Sequence, residues 1–116
     1  MLIKDRKLIV YTSQYKYDGE NRLDITIKTG LKMFAPTWEM VMDFKNCKIN
    51  EEEYTKLYYE KMRKSYKMYE DTWQWLLKQP KVVLVCFCKK DVFCHRYLLA
   101  EILEKLGAIY RGEINV

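Results

Sequence analysis

Proline and glycine are scarce in this chain, two and four among 116 residues. That leaves no stretch for a flexible linker or a low-complexity tail, and no internal repeat is present. One domain over residues 1–116 is therefore expected, long enough to bury roughly two thirds of its unfolded surface. Long apolar runs are missing too. The longest, residues 82–88, is far too short to span a bilayer. Met1-Leu2-Ile3 gives way at once to Lys4-Asp5-Arg6-Lys7, so the apolar core of a signal peptide is absent. These absences point to a soluble, cytoplasmic protein with no membrane partner, in which cysteines stay reduced. Strong charge of one sign is lacking as well. The net charge of +5 suits an anionic ligand or simple solubility equally, and falls short of a clustered nucleic-acid footprint.

What is present is concentrated in one stretch. Val82-Val83-Leu84-Val85-Cys86-Phe87-Cys88 is an unbroken apolar run rich in β-branched residues, the pattern of a strand buried on both faces. A short polar loop follows. Cys94-His95-Arg96 then opens an amphipathic helix whose stripe is Leu98, Leu99, Ile102, Leu103 and Leu106. Strand, loop and helix N-terminus form the half-unit in which open α/β sheets hold ligands, outside the carboxyl end of the strand. Three of the four cysteines and the only histidine lie here.

Elsewhere, residues 7–11 read as a first strand that breaks into Thr12-Ser13-Gln14. These hydroxyls serve equally as site residues or as turn formers. Asp18-Gly19 marks a turn. Residues 22–28 alternate polar and apolar, as a half-exposed strand near an edge does. Thr37 is the natural N-cap of a helix beginning at Trp38. Asn50 with Glu53 forms a capping-box pattern before a long aromatic stripe, Tyr54, Tyr58, Met62, Tyr66, Tyr69 and Trp73, with a kink expected near Asp71 and a stop at Gln79-Pro80. A short last strand or hairpin follows Gly107. The order β, β, several helices, β, α, β predicts a small Rossmann-like three-layer α/β domain. Its sheet should be short and mainly parallel, with residues 82–88 central.

The pattern Leu84-Val85-Cys86-Phe87-Cys88-Lys89, Phe93-Cys94-His95-Arg96 and Leu98-Leu99-Ala100 resembles the signature of domain-of-unknown-function family 488. The likeness extends through Tyr11-Thr12-Ser13, residues 22–26, Phe34-Ala35-Pro36-Thr37-Trp38 and the helix from Glu53 through Tyr58. It implies a small Rossmann-like domain of the kind found in bacteria and in phages and other mobile elements. It implies a site at the Cys-His-Arg triplet without implying a reaction.

Three chemistries compete at that site. Anion binding comes first. A helix N-terminus, Lys89, Arg96 and Arg22 suit a small anionic, nucleotide-derived ligand, with His95, Cys88, Cys94, Thr12 and Ser13 around it and Tyr15 or Trp38 available to stack a base. Against this, Arg96 in the first helical turn equally faces solvent or pairs with Glu113 or Asp91. A cysteine-dependent enzyme acting on a nucleotide or sulfur-containing substrate is the alternative, with Cys94 as nucleophile and His95 beside it. Sequence neighbours on a helix project about 100° apart, which argues against His95 as the base for Cys94. Metal is the third. Cys86, Cys88, Cys94 and His95 tempt a zinc assignment, but a Cys-x-Cys on a buried strand splays its sulfurs, so neither metal nor cofactor is expected. Cys86 and Cys88, with Cα atoms roughly 6.5–7 Å apart, are also wrong for a mutual disulfide. A nucleic-acid-binding accessory role would rest on Lys61, Arg63, Lys64 and Lys67, a face that reads equally as solvated.

Overall fold

A computed structural model describes residues 7–89 and 92–116. The elements run β1 (Ile9–Gln14), β2 (Arg22–Asp24), a 3₁₀ turn (Lys32–Phe34), α1 (Trp38–Lys45), α2 (Glu51–Met68), α3 (Glu70–Leu77), β3 (Lys81–Cys86), α4 (His95–Lys105) and β4 (Ile109–Ile114). The four strands form one sheet in the order β2-β3-β1-β4, with every pairing parallel. The protein is a small Rossmann-like α/β domain. The apolar run is internal, as its composition requires: Val82 through Cys86 are all buried. The strand ends at Cys86, two residues short of the run, and Asp91 and Lys90 of the following loop lie outside the described residues.

Alternation along the strands sorts the side chains by face. Val10, Val82, Leu84 and Cys86 join one core with Met40 of α1, Tyr58 and Met62 of α2, Trp73 and Leu76 of α3, and Leu99 and Leu103 of α4. The opposite row, with Val83 and Val85, is also buried but stands outside that cluster. Among the described residues, then, each of the four helices contributes to the core on this row of the sheet. No helix among them is long and apolar enough to cross a membrane.

The local signals explain the helix ends. Thr37 accepts from the Met40 N–H, and Asn50 and Glu53 cap one another reciprocally. The long aromatic helix breaks at Tyr69 (φ −122°, ψ 40°), which ends α2 and starts α3. The break turns Trp73 back on α2, where its Nε1 donates to Ser65 Oγ at 3.0 Å while Ser65 Oγ donates to the Met33 carbonyl at 2.7 Å. Lys61 is half-buried and its ammonium donates to the carbonyls of Lys32 and Ala35, so the basic face of α2 loses one of its cations to the fold.

Two irregularities set up the site. β2 stops at Asp24, not near Lys28, because the Asp24 carboxylate takes the Thr26 N–H at 2.9 Å and the Thr29 hydroxyl, closing a turn in place of the strand. Backbone bonds Gly30 N–H to Thr26 O and Leu31 N–H to Asp24 O finish that turn. β4 is one strand, not a hairpin, and it slips register against β1 between Val10 and Tyr11. Tyr110 pairs with Val10 and Glu113 with Thr12, both on the helix-covered row. Three residues apart on a regular strand, they would face opposite ways; the bulge at Gly112, whose φ of +111° favours glycine, restores them to one face.

The Asp24–Leu31 turn leaves no room at Gly30. A Cβ there would collide with the Asp24 carbonyl and the Thr26 nitrogen, both backbone atoms. Gly30→Ala should lower unfolding stability by about 1–3 kcal/mol, the cost of overpacking a site that cannot relax. Denaturant melts of the two proteins would measure it, and an unchanged midpoint would show that the turn yields.

Candidate functional site

The carboxyl end of β3 and the N-terminus of α4 carry the Cys-His-Arg triplet. Arg96 sits in the first turn of α4 and is fully buried. Its Nη2 meets Glu113 Oε2 at 2.9 Å and its Nε meets Oε1 at 3.3 Å. Nη1 donates to Cys86 Sγ at 2.9 Å and to the Cys88 carbonyl at 3.0 Å, while Nη2 also donates to the Lys89 carbonyl at 3.1 Å and the Tyr97 hydroxyl at 3.0 Å. The guanidinium thus pairs with Glu113, one of the two acidic partners weighed from the sequence. No buried side-chain nitrogen or oxygen among the described residues lacks a partner. An anion here would meet the surface of the site, not an unspent Arg96.

Cys94 is the N-cap of α4, with extended backbone (φ −157°, ψ 149°) and no side-chain capping bond. This changes its relation to His95. The two side chains do not share a helical turn, and Cys94 Sγ lies 3.8 Å from His95 Nδ1. His95 Nε2 is 2.7 Å from the Ile25 carbonyl. A carbonyl only accepts, so Nε2 carries the hydrogen and Nδ1 turns its lone pair toward Cys94. Burial keeps this ring neutral, lowering its pKa to about 4, and the neighbouring Arg96 and Lys61 charges act in the same sense. The Asp24–Leu31 turn is what presents the Ile25 carbonyl.

The sulfurs of Cys86, Cys88 and Cys94 lie within 4.8 Å of one another. The splay expected of a Cys-x-Cys strand does not occur, because Cys88 follows the end of β3 in a bend that Arg96 ties down through its carbonyl. Cys86 and Cys94 are buried and Cys88 is half-buried. Burial pushes the Cys88 thiol above its ordinary pKa, outweighing the pull of Arg96. Cys88 and the exposed Cys47 are free, whereas Cys86 and Cys94 are joined through their sulfurs, not reduced as the sequence led one to expect.

The remaining predicted residues divide between the two faces of the sheet. Thr12, on the helix-covered row, bonds the Tyr110 hydroxyl at 2.7 Å; Ser13, on the other row, donates to the Ile114 carbonyl at 2.7 Å. Both hydroxyls hold β4 to β1. Tyr15 continues the Ser13 row and stacks on Phe87 with ring centroids 4.3 Å apart. Arg22 Cζ lies 4.5 Å over the Tyr15 ring, and its Nε and Nη2 donate to the carbonyls of Tyr17 and Tyr15. Lys89 is exposed beside Cys88. Trp38 is exposed in the first turn of α1, and among the described residues no ring contact joins it to the others. Sequence reasoning missed Phe87, a residue 54% exposed that stacks on Tyr15, and the Ile25 carbonyl that orients His95. Alternation from Val85 signals the face of Phe87; nothing local signals a backbone acceptor.

Two outcomes follow. Arg96→Ala strands a carboxylate whose side chain is 8% exposed, so unfolding stability should fall by about 3–5 kcal/mol in denaturant melts. Loss below about 1 kcal/mol would mean that water replaces the guanidinium. The second concerns acid. The unfolded histidine titrates near 6.5 and the folded one near 4, so the unfolded chain binds the extra proton first. In chelator-containing buffer, stability should therefore be complete above about pH 6.5. It should fall by up to about 1.4 kcal/mol per pH unit toward pH 4 and then level off. His95→Gln should flatten that segment of the profile.

Comparison with known proteins agrees with the geometry in its extent. A family model described as the active DUF488-N3 subclade matches residues 4–107, a span containing every site residue above except Glu113, Tyr110 and Ile114. No curated protein and no solved structure gives a match. Because the model spans most of the chain, including three of the four strands and the Cys-His-Arg triplet, this protein belongs to the DUF488-N3a family.

Proposed function

We propose that the carboxyl end of the sheet binds a small anionic, nucleotide-derived ligand at the β3–α4 junction. The observation that carries this reading is the exposed aromatic platform of Phe87 on Tyr15, backed by Arg22, in the same loop that leads to an α4 N-terminus without a side-chain cap. A base stacks on the free face of Phe87. A phosphate meets the first-turn N–H groups of α4 and the Lys89 ammonium, because those groups carry positive charge and Cys94 leaves them uncapped. Arg96 acts through the backbone, holding the carbonyls of Cys88 and Lys89 inward.

A cysteine-dependent enzyme is the second reading. It is favoured by the 3.8 Å approach of His95 Nδ1 to Cys94 Sγ and by the word active in the family description. In that case Cys94 is the nucleophile and His95 its proton acceptor, oriented by the Ile25 carbonyl.

A thermal-shift and calorimetry screen of nucleotides, cyclic dinucleotides, ADP-ribose derivatives and simple anions tests both. Phe87→Ala should weaken a bound nucleotide by about 5- to 150-fold, the worth of one stacked base. Lys89→Ala should weaken the phosphorylated form and spare the nucleoside. Turnover in mass spectra that disappears in Cys94→Ser, with binding retained, would establish the second reading. No stabilisation by any member of the panel would end the first.

A further inference from the structure

The three convergent thiols ask for an explanation that ligand binding at the surface does not supply. Their sulfurs lie within 4.8 Å of one another; those of Cys86 and Cys94 are joined as a pair, and Cys88 beside them is free. The Cα atoms of that pair stand 8.0 Å apart, whereas a relaxed disulfide spans at most about 6.8 Å. Two thiolates on one ion fit the wider backbone. With metal–sulfur bonds of about 2.3 Å at tetrahedral angles the sulfurs stand about 3.8 Å apart, within the 4.8 Å that bounds the three sulfurs here.

We infer that Cys86, Cys88 and Cys94 form a three-thiolate site for a thiophilic divalent cation, zinc in the first instance, with the fourth position left to an outside ligand. The donor set is all sulfur, which selects a soft or borderline ion over magnesium or calcium. The three sulfurs come from a strand end, a bend and a helix N-cap. Arg96 braces this frame through the Cys88 carbonyl, and its Nη1 donates to Cys86 Sγ at 2.9 Å. Such an N–H···S bond stabilises a metal-bound thiolate from outside the coordination sphere. Cys94 lies at the positive end of α4, which favours its thiolate as well. Two of the sulfurs are buried and Cys88 is half-buried, so the ion enters from the Cys88 side. Each thiol gives its proton to solvent as its bond to the ion forms, so binding releases protons and is lost in acid.

The test uses the full chain, reduced and stripped of metal, titrated with zinc chloride against a chromophoric chelator. About one zinc per chain should bind. In the zinc form Cys47 alone should react rapidly with a thiol reagent, and all four cysteines should react once a strong chelator is added. Cobalt(II) in place of zinc should give thiolate charge-transfer bands in the unmutated protein, a readout that needs no variant to fold. Cys88→Ser, which alters a half-buried side chain outside β3, should reduce bound metal to background, while Cys47→Ser should keep it. Zinc uptake no greater than a buffer blank, uptake unchanged in Cys88→Ser, or a Cys86–Cys94 disulfide that forms in the presence of zinc would each overturn the inference. Nucleotide binding is measured on the chelated protein, so the two proposals fail independently.

Discussion

A guanidinium taken wholly out of water costs several kcal/mol, and the fold around α4 depends on how Arg96 is compensated. Its five N–H groups meet six acceptors drawn from four places: the sulfur of β3, the carbonyls of the following bend, the Tyr97 hydroxyl and the Glu113 carboxylate of β4. An arginine in the first turn of a helix opposes the dipole. Here that penalty is offset because Glu113 lies directly against it. Glu113 reaches this face only through the bulge at Gly112, so a backbone irregularity in the edge strand and the charge balance of the site are one arrangement.

The same hub decides where the sulfurs go. With the Cys88 and Lys89 carbonyls drawn onto Arg96, the chain bends at the end of β3 and brings Cys88 back beside Cys86. Across the cluster, His95 is fixed from the far side by the Ile25 carbonyl. That carbonyl stands where it does because the Asp24 carboxylate ended β2 early. Two loop segments distant in sequence therefore converge on adjacent helix residues, one through a cation and one through a neutral ring.

What was legible in the sequence is what local physics controls. The buried run around Val82, the N-cap at Thr37, the capping box at Asn50, and the stop at Pro80 depend on neighbours within four residues, and each appears where the pattern puts it. The kink expected near Asp71 falls at Tyr69. The clustering of the site at the Cys-His-Arg triplet was legible too, but its internal geometry was not. The Cys-x-Cys argument assumed that the strand continues to Cys88, and the Cys94–His95 argument assumed that both residues are helical. Each failed at an element boundary: Arg96 holds the Cys88 carbonyl beyond the strand end, and Cys94 has extended backbone as the N-cap of α4. The alternation over residues 22–28 failed for a related reason, since the Asp24 side chain competes with the ladder for backbone donors.

The division of the site by the sheet bears on how its parts combine. Thiols, His95 and Arg96 share the helix-covered face, whereas Tyr15, Phe87 and Arg22 follow the opposite row. The two groups meet only at the carboxyl edge, where Phe87 lies between Cys86 and Cys88 in the chain and points away from both. A ligand stacked on Phe87 would touch the sulfur cluster only by reaching over that edge, and the half-buried Cys88 is the sulfur nearest to solvent there. Burial also raises the pKa of the Cys88 thiol, against the pull of Arg96, and so disfavours its thiolate. The thiolate, not the thiol, is the nucleophile and the metal ligand, so an ion bound at this edge would act on Cys88 by taking the place of its proton.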